Sequence, residues 1–172
     1  GRSGAGFLAA HAELTQKVVA ACRATHVPRL LQMSGLNADE HGPSHYLRSK
    51  GAAERIIREE SHADLRWTIF QPSVIFGTGD SFINRFAALL AVLPLALPLA
   101  RPGARLAPVW IEDVVAAMLK ALGDEAGTAG ETFQLCGPRT YTLREIVTYV
   151  RDVLGLRRWI IGLPDIAARV QA

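Results

Sequence analysis

Along the chain the apolar positions switch repeatedly between a helical and a strand-like period. Over residues 8–25, Leu8, Leu14, Val18, Ala21 and Cys22 recur at helical spacing with His11 in the same stripe, and Val27-Pro28 ends that helix. Arg29 to Ser34 reads as a short buried strand. Pro43-Ser44 opens a helix through about Glu60, with proline at a first-turn position where its missing N–H costs nothing. Arg66 to Phe70, rich in β-branched and aromatic side chains, reads as the next strand. After the Gly77-Thr-Gly79 turn, Asp80 is placed to cap a helix from Ser81 to about Leu93. A strand at Arg105–Trp110 precedes an amphipathic helix, Ile111–Leu122, whose first turn is acidic and so suits the helix dipole. A strand at Thr132–Cys136 follows, and Thr142 and Glu145 form a capping box that opens a helix to about Leu154. Residues 158–161 read as a last strand, and Pro164 as the start of a last helix. Strands alternating with helices of this length imply crossover units and a mainly parallel sheet, hence an α/β fold.

One stretch breaks the rhythm. Phe86 to Ala100 is almost wholly apolar, shorter than the ~20 residues of a membrane-spanning helix, and interrupted by Pro94 and Pro98. It reads as a core helix followed by an extended apolar loop. The sharper alternative is a lid over an apolar substrate, or a surface that docks on a membrane or a partner.

Composition narrows the class without naming a role. The 172 residues are 49% apolar and 20% charged, ordinary values for a globular domain with a real core. The net charge of +3 is scattered, and Arg151, Arg157 and Arg158 form the only local basic patch, so a nucleic-acid surface is not expected. Cys22 and Cys136 each lie in an apolar stretch, which fits a reduced, intracellular protein better than a disulfide scaffold. The five histidines fall in different segments with no metal-ligand spacing, so no metal site is expected. With no initiator Met and no signal-like segment, the chain reads as a piece of something longer.

The chemistry concentrates around one helix. Tyr46 and Lys50, four residues apart, share a helix face. An ammonium near a phenol favours phenolate, so the pair is expected to lower the Tyr46 pKa from about 10 and to act as a general acid/base. Such pairs are common on solvated helix faces, and it is the setting that adds weight. Ser34 leaves the C-terminal end of a strand twelve residues earlier, where open α/β sheets bind ligands. The segment Gln71 to Asp80, QPSVIFGTGD, follows the next strand and is expected to open on the same edge.

The order Ser34, Tyr46-x-x-x-Lys50, then Trp67–Phe70 leading to Gln71–Asp80, resembles the extended and atypical short-chain dehydrogenase/reductases of the epimerase/dehydratase type. It is similar above all to the branch related to the dinucleotide-binding accessory subunit of respiratory complex I, and Pro108–Ala116 and Phe133–Pro138 carry the likeness onward. The resemblance implies a partial, doubly wound Rossmann-like parallel sheet. Residues 1–79 would be the later portion of the dinucleotide-binding domain, and 80–172 a small substrate-binding α/β part interleaved with that sheet. It implies NAD or NADP as cofactor, with the preference open. Tyr46 would be the acid/base, Lys50 would bind the nicotinamide ribose, and Ser34 would orient the substrate. The backbone of Pro72, Ser73 and Val74 would border the carboxamide, and Phe82, Asn84, Arg85 and Arg105 would lie towards a small-molecule substrate. The family's opening strand and glycine turn do not precede this segment, and Gly1–Gly6 corresponds to a later loop. His11 stands where relatives often have Asn. Two functions follow: an NAD(P)-dependent oxidoreductase or epimerase/dehydratase, or a non-catalytic NAD(P)H-binding subunit or assembly factor of a respiratory NADH dehydrogenase. The second would place a cytoplasmic protein peripherally at the inner membrane, with a respiratory-complex or membrane-surface partner.

Overall fold

The structure is a computed structural model describing residues 4–61 and 64–163. In chain order it contains α1 (Gly4–Leu8), a π-helical stretch (Ala9–Glu13), α2 (Leu14–Ala24), β1 (Arg29–Met33), α3 (His45–Glu60), β2 (Arg66–Pro72) and β3 (Ile75–Phe76). There follow α4 (Ile83–Val92), β4 (Ala96–Ala100), β5 (Arg105–Leu106), β6 (Val109–Trp110) and α5 (Ile111–Gly123). The last elements are α6 (Glu125–Thr128), β7 (Glu131–Leu135), β8 (Tyr141–Thr142), α7 (Leu143–Val153) and β9 (Trp159–Leu163). The helix expected from Pro164, and the first three residues of the Gly1–Gly6 run, lie outside the described residues.

Two compact units divide the chain: residues 1–73 with 113–135, and residues 74–112 with 136–172. The first is a parallel three-stranded sheet in the order β1-β2-β7. Arg29 to Met33 pair with Arg66 to Phe70, and Thr68 to Pro72 with Glu131 to Leu135. Because side chains alternate across a strand, Ile69 of β2 meets Val19 and Cys22 of α2 and Ile57 of α3, with Leu65 completing the cluster. Val19, Ile57 and Ile69 are almost fully enclosed, and each contributes about 1.5–3 kcal/mol by leaving water. The neighbouring β2 residue, Phe70, stacks on Phe133 of β7 with ring centroids 6.0 Å apart. Helix α3 begins where Ser44, in extended conformation, accepts from the Leu47 N–H.

In the second unit α4 and α7 pack with the parallel pair β4-β9, closing Leu90, Leu97, Leu99, Val147 and Val150 into an apolar core. The capping box expected at α7 is present: Thr142 accepts from the Glu145 N–H, and the Glu145 carboxylate accepts from the Thr142 N–H. Two expectations are corrected here. The stretch after α4 is not a loop, because Ala96–Ala100 forms β4 beside Trp159–Leu163. Arg105–Trp110 is not one strand. It is split into β5, which pairs antiparallel with β8, and β6, which pairs with β3. Pro108, lacking an N–H, lies at the break. Among the described residues no helix is long and apolar enough to cross a membrane.

Candidate functional site

The site is built where β1 and β2 end against the first two turns of α3. Beyond β1 the backbone continues to follow β2: Ser34 N–H donates to Phe70 O at 2.7 Å and Leu36 N–H to Pro72 O at 2.8 Å. That pairing brings Gly35 under Tyr46. A Cβ at Gly35 would stand 2.9 Å from the Tyr46 hydroxyl oxygen, so only glycine admits the phenol this close. Tyr46 is 40% exposed. Its hydroxyl has no hydrogen-bond partner among the described residues.

Lys50 lies one turn further along, with Nζ 5.9 Å from the Tyr46 ring centroid. That ammonium donates to Met33 O at 3.1 Å. Burial lowers the Lys50 pKa, partly opposed by the nearby Glu54 carboxylate. The expected drop in the Tyr46 pKa is not found: burial raises it instead. Desolvation of a half-buried phenolate outweighs a lysine whose charge is shared with a carbonyl and a carboxylate. At neutral pH Tyr46 is therefore a neutral phenol, a donor rather than a base.

Ser34 is only 4% exposed, and its hydroxyl donates to Glu54 Oε1 at 2.5 Å. Gln71 Nε2 donates to both Glu54 oxygens at 2.8 and 3.1 Å, and Arg58 reaches Oε2 at 2.8 Å. A carboxylate with 2% residue exposure is thus met by three donors from β1's end, β2 and its own helix, as a buried charge requires. The single hydroxyl proton of Ser34 is donated into this junction. Glu54 and Gln71 were not singled out from the sequence. Tyr46, Lys50 and Glu54 recur at four-residue intervals on α3, and that spacing was the available signal.

On the other side of Tyr46, the rings of Phe7 and His11 stand edge-on to it, with centroids 6.1 and 5.6 Å away. His11 Nδ1 lies 2.7 Å from Ser49 Oγ. Pro72, Ser73 and Val74 are partly committed: Pro72 O accepts from Leu36, Ser73 N–H donates to Leu135 O at 2.9 Å, and Val74 O accepts from Val109. Phe82, Asn84, Arg85 and Arg105 belong to the second unit. There Phe82 packs edge-on against Phe86 at 5.3 Å, and Asn84 donates to Asp80 O at 2.8 Å. Arg105 pairs in register with Thr142, near the Glu145 carboxylate, while Arg85 is exposed.

With this geometry in place the likenesses acquire meaning. A family described as NAD(P)H-binding matches residues 2–81. The chain is 32% identical over 148 residues to the Arabidopsis thaliana NADH dehydrogenase (ubiquinone) 1 alpha subcomplex subunit 9, mitochondrial, covering 85% of this chain and 36% of that protein. It is 29% identical over 154 residues to the Neurospora crassa mitochondrial NADH-ubiquinone oxidoreductase 40 kDa subunit, covering 90% and 39%. The chain therefore spans little more than a third of the curated relatives it matches. Among solved structures, a UDP-galactose 4-epimerase superposes with a TM-score of 0.80 at 18% identity, over 94% of this chain and 59% of that one. A Streptomyces venezuelae dTDP-glucose 4,6-dehydratase with NAD bound gives 0.77 at 19% identity, over 94% and 56%. At such identities the likeness establishes the fold, the Rossmann-like architecture of epimerases and dehydratases. The donor set present, an accessible phenol with an ammonium one turn away, has the chemistry to hold a ribose hydroxyl pair, whereas the glycine at 35 is required by Tyr46 itself.

Proposed function

We propose that this chain is part of an NAD(P)H-holding subunit of a respiratory NADH dehydrogenase, with Tyr46 and Lys50 gripping the nicotinamide ribose rather than turning a substrate over. The observation that carries this reading is the commitment of Ser34 to Glu54. Without a free hydroxyl beside the phenol, a substrate carbonyl has one polar partner instead of two, whereas a ribose needs only Lys50 and Tyr46. The names of the relatives support the same reading, and a peripheral position at an inner membrane follows from it. When bound, the nicotinamide supplies or accepts hydride. This chain's residues place it, Lys50 through its charge and Tyr46 through its hydroxyl.

The test is NADPH and NADH titration of the full-length protein by fluorescence. Lys50→Met is expected to weaken binding by roughly 10- to 100-fold, the loss of a charge-assisted hydrogen bond. Unchanged affinity would remove Lys50 from the site.

A second reading keeps the oxidoreductase or epimerase/dehydratase chemistry, with Tyr46 passing its proton to a substrate oxygen. The exposed and uncommitted Tyr46 hydroxyl favours it. Steady oxidation of NADPH with a small keto substrate, lost in Tyr46→Phe, would select this reading over the first.

A further inference from the structure

The feature neither reading uses is His11. It lies in the π-helical stretch, where the Leu14 N–H reaches back five residues to Ala9 O. Such a turn carries one extra residue and recurs at functional sites. Here it presents His11 to α3, against Tyr46 and Ser49. Ser49 is fully buried, and its hydroxyl donates to Tyr46 O at 2.8 Å. A serine has one proton to give, and with that proton on Tyr46 O the Ser49 Oγ is an acceptor 2.7 Å from His11 Nδ1. The imidazole proton is then on Nδ1, and the tautomer follows from the partner, as it does for histidines in general.

We propose that His11 is the positioning residue of Tyr46: Ser49 locks its imidazole with the proton on Nδ1, and the ring braces the phenol while Nε2 stays a bare acceptor. The brace closes a small circuit. Phe7 and His11 hold two edges of the Tyr46 site, Gly35 lies under its hydroxyl, and Ser49 ties the imidazole to the backbone of Tyr46 itself. The titratable groups facing His11 are Tyr46 and Lys50 of α3, and Glu13 is the charged residue of its own stretch. Burial first, and Lys50 second, lower its pKa, so the imidazole is neutral at pH 7 and adds no second cation beside the lysine.

The inference rests on Tyr46 being the group that faces the cofactor, and its test separates the two. Nitrogen NMR on full-length protein with labelled histidine is expected to show His11 protonated at Nδ1 and bare at Nε2 at pH 7.5, titrating below 6.5. In Ser49→Ala the proton should move to Nε2. The Tyr46 ring resonances should shift in His11→Leu and return in His11→Gln, whose amide can still donate to Ser49. A proton on Nε2 in the native protein, or Tyr46 resonances indifferent to His11→Leu, overturns the proposal whatever NADPH does. The stated tautomer and shifts, together with NADPH binding untouched by Lys50→Met, would sustain His11 as the brace and fail the cofactor reading instead.

Discussion

Both units pack helices on parallel strands, yet they are held by different chemistry. Every buried polar side chain among the described residues, Thr15, Ser34, Ser49, Glu54, Thr68 and Gln71, belongs to the first unit. The second encloses Leu90, Leu97, Leu99, Val109, Ile146, Val147 and Val150, and none of its described polar residues is buried as a whole. Burying polar groups is costly unless each is satisfied, so it is tolerated where a particular geometry is needed. In the first unit Ser34, Glu54 and Gln71 meet at one such place, the strand end beside α3. Apolar packing tolerates exchange of similar volumes. A junction of one carboxylate with three donors does not.

The contrast can be broken or sharpened by substitution. Glu54→Ala should have the largest effect, about 3–5 kcal/mol of stability by urea denaturation, because it strands Ser34 and Gln71 in a closed site. If Glu54→Leu were as stable as the native protein, the junction would be ordinary packing and the contrast would fail. Leu90→Ala in the second unit should cost about 2–4 kcal/mol, set by cavity size alone, and Leu90→Met should recover most of it. The smallest effect is at the surface: Thr142→Ala should cost about 1 kcal/mol at pH 7 through loss of the α7 cap. Hydrogen bonds from Thr142 hold the Glu145 carboxyl below its usual range. That stabilisation is complete above the unfolded Glu value and is lost as pH falls through the folded one. The Thr142→Ala penalty should accordingly shrink in acid, as melts at pH 7 and pH 3 would reveal.

Most of the architecture was legible because period and caps are local signals. Ser44, Thr142 and Glu145 mark helix starts, and the strands β1, β2 and β7 are short apolar runs bounded by turns. What was hidden depended on partners distant in sequence. β4 contains Pro98 and follows Pro94, which argue against a strand. Its identity comes only from β9, and Pro98 is exposed on this two-stranded ladder. The site was legible in its residues and not in their commitments. Tyr46, Lys50 and Ser34 stand out in the sequence, but no spacing rule says that Ser34 would spend its proton on Glu54. Nor could the sequence tell that burial would outweigh Lys50 at the Tyr46 phenol. His11 was visible as a departure from Asn, and only the π-helical turn and Ser49 give it a task.

The pairing of β4 with β9 also sets a clock. Ala96 lies beside Trp159, and synthesis at about 5–20 residues per second delivers the partner roughly 3–13 s after β4 itself. For that interval the segment Ala-Leu-Pro-Leu-Ala has no ladder to join, on a nascent chain whose α4 is also apolar. Pro98 within it and Pro94 just before it then serve a purpose beyond the finished fold: they make the waiting segment a poor template for pairing with another copy of itself.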